Sequence, residues 1–205
     1  MAKLLFITQK VDKDDDVLGV YHHWLEKLSK KVGEIKVICL YRGKVDLPLN
    51  VSVYSLDKES GQSRLKYIFR FYKHIFGLRK NYDVVLVHMN PVYVVLGGLL
   101  WKLWGKKIMF WYNHPMGNLI AKTGIFFSDK VFCTSPYSFS AKYKKTEIMP
   151  VPKGNPEKGY VNEEEMYIEE IKAFLDAIKK GTTYPHSFSE NLINVRMMQA
   201  LEKGV

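Results

Sequence analysis

A Rossmann-like, doubly wound α/β domain with a mainly parallel sheet is predicted for residues 1–151, and three observations predict it. Short apolar, β-rich runs alternate with segments whose apolar residues recur at helical spacing. The chain opens on strand, helix, strand, a βαβ unit that requires parallel pairing. The alternation then stops near residue 151, where a turn-rich stretch and a differently charged helical segment begin.

The elements follow in order. Lys3-Leu-Leu-Phe-Ile-Thr-Gln9 reads as a buried opening strand, followed by a polar loop over 10–19 with Asp14, Asp15 and Asp16 in series. Residues 20–32 read as a helix, with Val20, Trp24, Leu25 and Leu28 at helical spacing and Gly33 as its stop. Strands are expected over 34–40 and 51–56. Residues 64–78 form a helix with Leu65, Ile68, Phe69, Tyr72, Ile75 and Phe76 read as its core stripe. A buried strand over 83–88, a helix over 91–104, a strand over 106–112 and a helix over 120–127 come next. Two late strands, 130–134 and 146–149, complete about seven. Residues 152–162 read as a linker, and 163–205 as a two-helix tail. Its first helix carries Tyr167, Ile171, Phe174, Leu175 and Ile178 on one face, and Phe174, Leu175 and Ile178 are expected to dock on the first domain.

Composition narrows the function classes. The chain has 205 residues, 47% hydrophobic and 25% charged, the balance of a packed globular protein. No apolar run is long enough to cross a membrane, and the N-terminal apolar run is too short for a signal peptide. The expected location is cytoplasmic, with the inner membrane face as a peripheral site. Cys39 and Cys133 sit in strand-like runs and read as buried free thiols. Residues 1–150 hold 24 Lys+Arg against 12 Asp+Glu, whereas residues 151–205 hold 7 against 9. A basic body of this kind suits anionic partners such as acidic lipid or phosphate-bearing molecules. No recognisable nucleic-acid module accompanies the charge, so nucleic acid is not an expected partner.

Several segments carry a family resemblance by their order. They are the opening strand with Gly19 beyond it, Asp83-Val-Val-Leu-Val-His88, Lys106-Lys-Ile-Met-Phe-Trp-Tyr-Asn-His114, Ser128-Asp-Lys-Val-Phe-Cys-Thr-Ser135 and Ile148-Met-Pro-Val151. Together they resemble the N-terminal domain of the family-four retaining glycosyltransferases, which have the two-domain GT-B fold. The resemblance implies an acceptor-side half of an enzyme that moves a sugar from a nucleotide sugar to a glycan or lipid acceptor. It implies no resident cofactor, the nucleotide sugar being the substrate. The family continues into a second Rossmann-like domain that holds the donor, whereas here Pro152 follows Val151. Inactivity of this chain alone is therefore expected, and a non-catalytic remnant or membrane-associated binding module is the alternative. The tail, from Tyr167 through Gly181 to Tyr184-Pro-His, resembles the C-terminal end of the Gfo/Idh/MocA sugar oxidoreductases. A fragment linked to an NAD-dependent oxidoreductase is thus a third reading. Neither a Gly-x-Gly-x-x-Gly after a strand nor a Glu-Lys-Pro is present to support that chemistry.

Candidate site residues come from the rule that ligands bind beyond the carboxyl ends of the strands. His114 follows a strand where the resemblance implies a sugar-facing histidine; a loop histidine bonded to backbone is the other reading. His88, Asn90 and Asn113 end neighbouring strands and are candidates for lining the same cleft, with a structural role the preferred reading of His88. Gly19 is a candidate for letting backbone amides approach a phosphate. Lys66, Arg70 and Lys73 share a helix face and read either as a solvated surface or as a contact for anionic lipid. The three aspartates read as a solvated loop. His22 and His23 are expected to point to different helix faces, and no metal site is expected.

Overall fold

The computed structural model describes residues 2–61 and 63–149. The linker and the two-helix tail, with its docking residues, lie outside them. Seven parallel strands form one sheet in the order β3-β2-β1-β4-β5-β6-β7. The strands are β1 (Lys3–Val11), β2 (Glu34–Arg42), β3 (Val51–Ser55), β4 (Val84–His88), β5 (Lys107–Trp111), β6 (Lys130–Cys133) and β7 (Thr146–Ile148). Four α-helices connect them: α1 (Val20–Ser29), α2 (Arg64–Gly77), α3 (Pro91–Leu103) and α4 (Leu119–Phe127). This is the expected Rossmann-like class, the architecture of one half of a GT-B fold. No helix among the described residues is long and apolar enough to cross a membrane.

β1 pairs with β2 on one side and β4 on the other, so winding reverses between β1 and β4. The two faces of the sheet are read off the strand alternation. Leu5, Ile7, Val85, Val87, Ile108 and Phe110 face one layer with Phe71 and Ile75 of α2, Val94 and Trp101 of α3, and Ile125 of α4. The alternate residues Phe6, His88 and Trp111 turn to the other layer, where Phe6 meets His88, and His88 and Trp111 meet Trp24 of α1. Central strands covered on both faces read as continuous apolar runs, which is why β1 and β4 were legible.

The periodicity of α2 misleads. Leu65 is 78% exposed and Phe69 72%, and Ile68 and Phe76 are also exposed, whereas Phe71 and Ile75 are its buried residues. Apolar residues occupy most of the circumference, so spacing alone offers two stripes, and packing against the sheet selects the Phe71–Ile75 side. Cys39 and Cys133 are buried free thiols, and burial raises Cys39 to about 12.

Tight packing in the α3 layer turns on Trp101. Its ring is fully buried, and its Nε1 donates to the Tyr82 hydroxyl at 3.1 Å; that hydroxyl in turn donates to the Ile75 carbonyl at 3.3 Å. A Cβ on Gly97 would stand 2.5 Å from this pinned ring. Gly97→Ala should therefore lower stability by about 1–3 kcal/mol despite better helix propensity, because the ring cannot yield. Gly77→Ala, at an open position on α2, should be neutral or slightly stabilising. Paired urea melts check the contrast.

Candidate functional site

Open α/β sheets bind ligands beyond the carboxyl ends of the strands where the winding reverses, and here the loops after β1, β4 and β5 outline that crevice. His88, the last residue of β4, pairs in register with Trp111 of β5. Tyr21 and Trp24 from α1 close over the imidazole at 4.7 and 5.5 Å between ring centroids, and Trp111 stands at 6.0 Å. His88 is thus 5% exposed, and its Nδ1 is buried with no hydrogen-bond partner among the described residues. Burial in this aromatic enclosure lowers its pKa to about 3, so it is neutral at physiological pH. Helix α1 packs down on the strand end and encloses His88, so its side chain is withdrawn from solvent. Thr8, one residue beyond the last β1–β4 register pair, is also fully buried, and its hydroxyl has no partner among the described residues.

Beyond His88 the chain turns sharply. Met89 takes a left-handed φ of 59°, rare for a residue with a flexible side chain, and the Asn90 amide donates back to the His88 carbonyl at 2.8 Å. The Met89 amide donates to the Trp111 carbonyl at 2.8 Å, and the Asn113 amide reaches the Met89 Sδ at 3.3 Å. Asn90 caps α3, its Oδ1 accepting from the Val92 amide at 3.2 Å, with Pro91 in the first turn. Asn113 joins the loops after β5 and β6. Its Oδ1 accepts from the Thr134 and Ser135 amides at 3.1 Å each, and its Nδ2 donates to the Thr134 hydroxyl at 2.6 Å. Both asparagines thus shape the crevice with side chains already engaged.

His114 is exposed, three residues past β5. Its Nδ1 lies 2.9 Å from the Met116 carbonyl oxygen and 3.1 Å from the Met116 amide nitrogen, so the loop holds that edge of the ring. Nε2 has no partner among the described residues. The His114 carbonyl accepts from the Phe139 amide at 2.8 Å, and the Ser138 and Ser140 hydroxyls donate to the Tyr112 carbonyl at 2.9 and 2.7 Å. When Nδ1 donates to Met116, Nε2 is an acceptor suited to a sugar hydroxyl.

Gly19 precedes α1 with an ordinary helical φ of −58°. Its amide donates to the Asp15 carbonyl at 2.9 Å, and a Cβ there would stand 2.4 Å from that oxygen. The Asp15 carboxylate accepts from the Val17 and Leu18 amides at 3.0 and 2.6 Å. Lys10 bridges Asp12 and Asp15 at 3.1 and 2.5 Å, and this hydrogen bond to Lys10 holds the Asp15 carboxyl down at about 2. Amides that could meet a phosphate are thus answered by the protein's own carboxylate, and the glycine serves a close backbone approach. His22 is buried, its Nε2 accepting from the Asp46 amide at 3.0 Å, whereas His23 is half-buried; Glu26 lies 3.6 and 3.0 Å from their Nδ1 atoms. No group of metal-ligating side chains occurs among the described residues.

On α2, Lys66 and Lys73 are exposed. Arg70 is ion-paired to Asp57 and donates to the Leu56 carbonyl at 3.4 Å, so its head group is turned to the sheet edge and not to a solvated face. Sequence reasoning missed Thr8, whose burial at the winding reversal depends on strand order. It also missed Arg42 and His74, although Arg42 ends a strand and His74 follows Lys73.

No family model matches the chain, and no curated protein matches it. Its fold is similar to that of Anabaena HepE, solved in complex with UDP, at a TM-score of 0.50 and 13% identity, over 74% of this chain and 44% of that one. The UDP-GlcNAc 2-epimerase of Methanocaldococcus jannaschii scores 0.49 at 14% identity, over 83% and 52%. MurG of Acinetobacter baumannii scores 0.48 at 13%, over 76% and 48%. The likeness is one of fold alone. The chain spans about half the length of each of these proteins. Nothing in these comparisons supports the oxidoreductase resemblance of the tail.

The enclosed imidazole makes a pH prediction. His88 has a folded pKa below its unfolded value, so its contribution is present above about pH 6.5 and is lost as pH falls toward 3. Between about pH 6.5 and 4.5, unfolding free energy should fall by up to ~1.4 kcal/mol per pH unit from this group. His88→Phe should flatten that slope in urea melts.

Proposed function

We infer that this chain is the acceptor-side half of a sugar-transfer site, in which a nucleotide sugar held by a second domain meets an acceptor lying across the crevice of β1, β4 and β5. The observation that carries this reading is His114, fixed at Nδ1 by Met116 and open at Nε2 beside the winding reversal. Its role is to orient an acceptor or sugar hydroxyl; the Met89 turn and the Asn113 latch fix the surrounding loops. Most leaving-group stabilisation in such a transfer comes from charges around the diphosphate, and on this reading the second domain supplies them. Fold likeness to HepE, whose structure contains UDP, is consistent with a nucleotide sugar as the partner molecule.

NMR titration of the chain with a saccharide panel tests it. Saturable shifts should gather at residues 8–11, 88–90 and 113–116, and weaken about tenfold or more in His114→Ala, the scale of losing one well-placed hydrogen bond. UDP-, GDP- and ADP-sugars should give neither turnover nor the ~2.7 kcal/mol stabilisation expected of a folded-state ligand at about 100-fold excess over its Kd. Turnover by this chain alone would overturn the acceptor-side assignment.

A second reading, compatible with the first, concerns α2. Its exposed Leu65, Phe69 and Phe76 lie among Arg64, Lys66, Lys73, Arg79 and Lys80, the composition of a surface that meets anionic lipid peripherally. Leu65→Ser with Phe69→Ser should abolish sedimentation with vesicles of anionic lipid; sedimentation unchanged in that variant would overturn it.

A further inference from the structure

A second cavity stands at the carboxyl ends of β2 and β3, away from the β1–β4 crevice. It is a solvent-open hollow of about 450 Å³, within the range of small-molecule sites, and is lined by Arg42, Tyr54, Asp57, Arg70, Lys73 and His74, among others. β2 ends at Arg42 and β3 at Ser55, while Arg70, Lys73 and His74 follow one another at helical spacing on α2. Two loosely connected pieces of chain thereby bring four basic side chains to one hollow.

The local chemistry leaves positive charge uncommitted. Asp57, held at a left-handed φ of 58°, spends its carboxylate on Arg70. Glu59, the other acid, accepts from the Ser55 hydroxyl at 2.8 Å. Arg42 uses one nitrogen on the Val53 carbonyl at 3.2 Å, leaving the rest of its donor fork. Lys73 makes no ion pair or hydrogen bond among the described residues. His74 is half-buried against Tyr54, with ring centroids 5.2 Å apart. Burial first, and then the charges of Lys73 and Arg70, lower its pKa, against the opposing effect of a hydrogen bond with the Ser55 backbone. The titratable and charged groups around it are Arg42 from β2, Tyr54 from β3, Asp57 and Glu59 from the following turn, and Arg70 and Lys73 from α2.

We propose that this cavity binds a phosphate- or sulfate-like oxyanion, with Arg42 and Lys73 as the charged contacts and His74 as a proton-linked third. The volume exceeds that of a bare phosphate and suits a phosphorylated compound of monosaccharide size, or the phosphate of a lipid headgroup. An anion offsets the repulsion from Lys73 and Arg70, so binding raises the His74 pKa and takes up a proton. Affinity therefore increases as pH falls through the His74 titration. The site does not depend on the crevice reading, and either can fail alone.

The test uses the full chain and sulfate, whose charge is constant across the range, with histidine resonances followed by NMR from pH 5 to 8. Saturating sulfate should raise the His74 pKa by about one unit, and its affinity should rise up to about tenfold from pH 8 to pH 5. His74→Gln should remove that pH dependence, and Lys73→Ala should weaken binding about tenfold. Lys30→Ala with Lys31→Ala, on an unrelated basic surface, should leave it unchanged. Glucose 6-phosphate and vesicles containing phosphatidic acid separate the sources. Binding of either, sensitive to Lys73→Ala and Arg42→Ala in variants with unchanged melting temperature, supports the site and names its source. An unmoved His74 pKa, or equal weakening by the Lys30/Lys31 pair, overturns it.

Discussion

Strand β1 must be paired on both edges and covered on both faces, and most of the architecture depends on that constraint. Its central residues Leu4 to Ile7 are buried, with β2 on one side and β4 on the other. Parallel neighbours cannot be joined by tight hairpins, so each connection must cross the sheet and come back over a face. The reversal of winding beside β1 then parts the loops at the carboxyl ends of β1 and β4. The crevice is a consequence of how a parallel sheet is wound, and its residues are those that happen to stand at strand ends.

The two concave regions solve the burial of polar groups in opposite ways. At the end of β4, His88 is stripped of water by three aromatic rings and stays neutral, so burial is tolerated by abandoning charge. At the β2–β3 end, the arginines keep their charge by leaning on backbone carbonyls and on Asp57. The acidic residues of the described chain are largely consumed locally: Asp12 and Asp15 on Lys10, Asp14 on Lys44, Asp129 on Lys102, Glu147 on Lys130. Exposed pairs of this kind add little stability. Their consequence is spatial, since residues 1–150 carry twice as many cations as anions and are left with unmatched lysines and arginines at particular places, Lys73 among them.

Where the sequence misled, the cause was the partner surface. Helix α2 carries apolar residues almost all round, and the buried side could not be chosen without knowing where the sheet lies. His88 at a strand end suited either a structural or a cleft role, because α1, which covers it, is distant along the chain. Arg70 looked like a surface charge because Asp57 sits in a turn whose left-handed backbone no pattern announced. Gly19 resembled a phosphate-loop glycine, yet the Asp15 carbonyl and carboxylate occupy its surroundings.

The alternation of apolar runs by itself determined the seven strands, the four helices and their parallel pairing, because strand and helix periods are local properties of the chain and a buried parallel strand must be apolar throughout. It also located the ends of β4 and β5 to within a residue or two, and with them His88 and His114. Only the tertiary structure decided which of these side chains meets solvent. Exposure depends on what packs over a residue from remote parts of the chain: Tyr21 and Trp24 close over His88, no described residue covers His114, and β2, β3 and α2 together gather Arg42, Lys73 and His74 around one hollow.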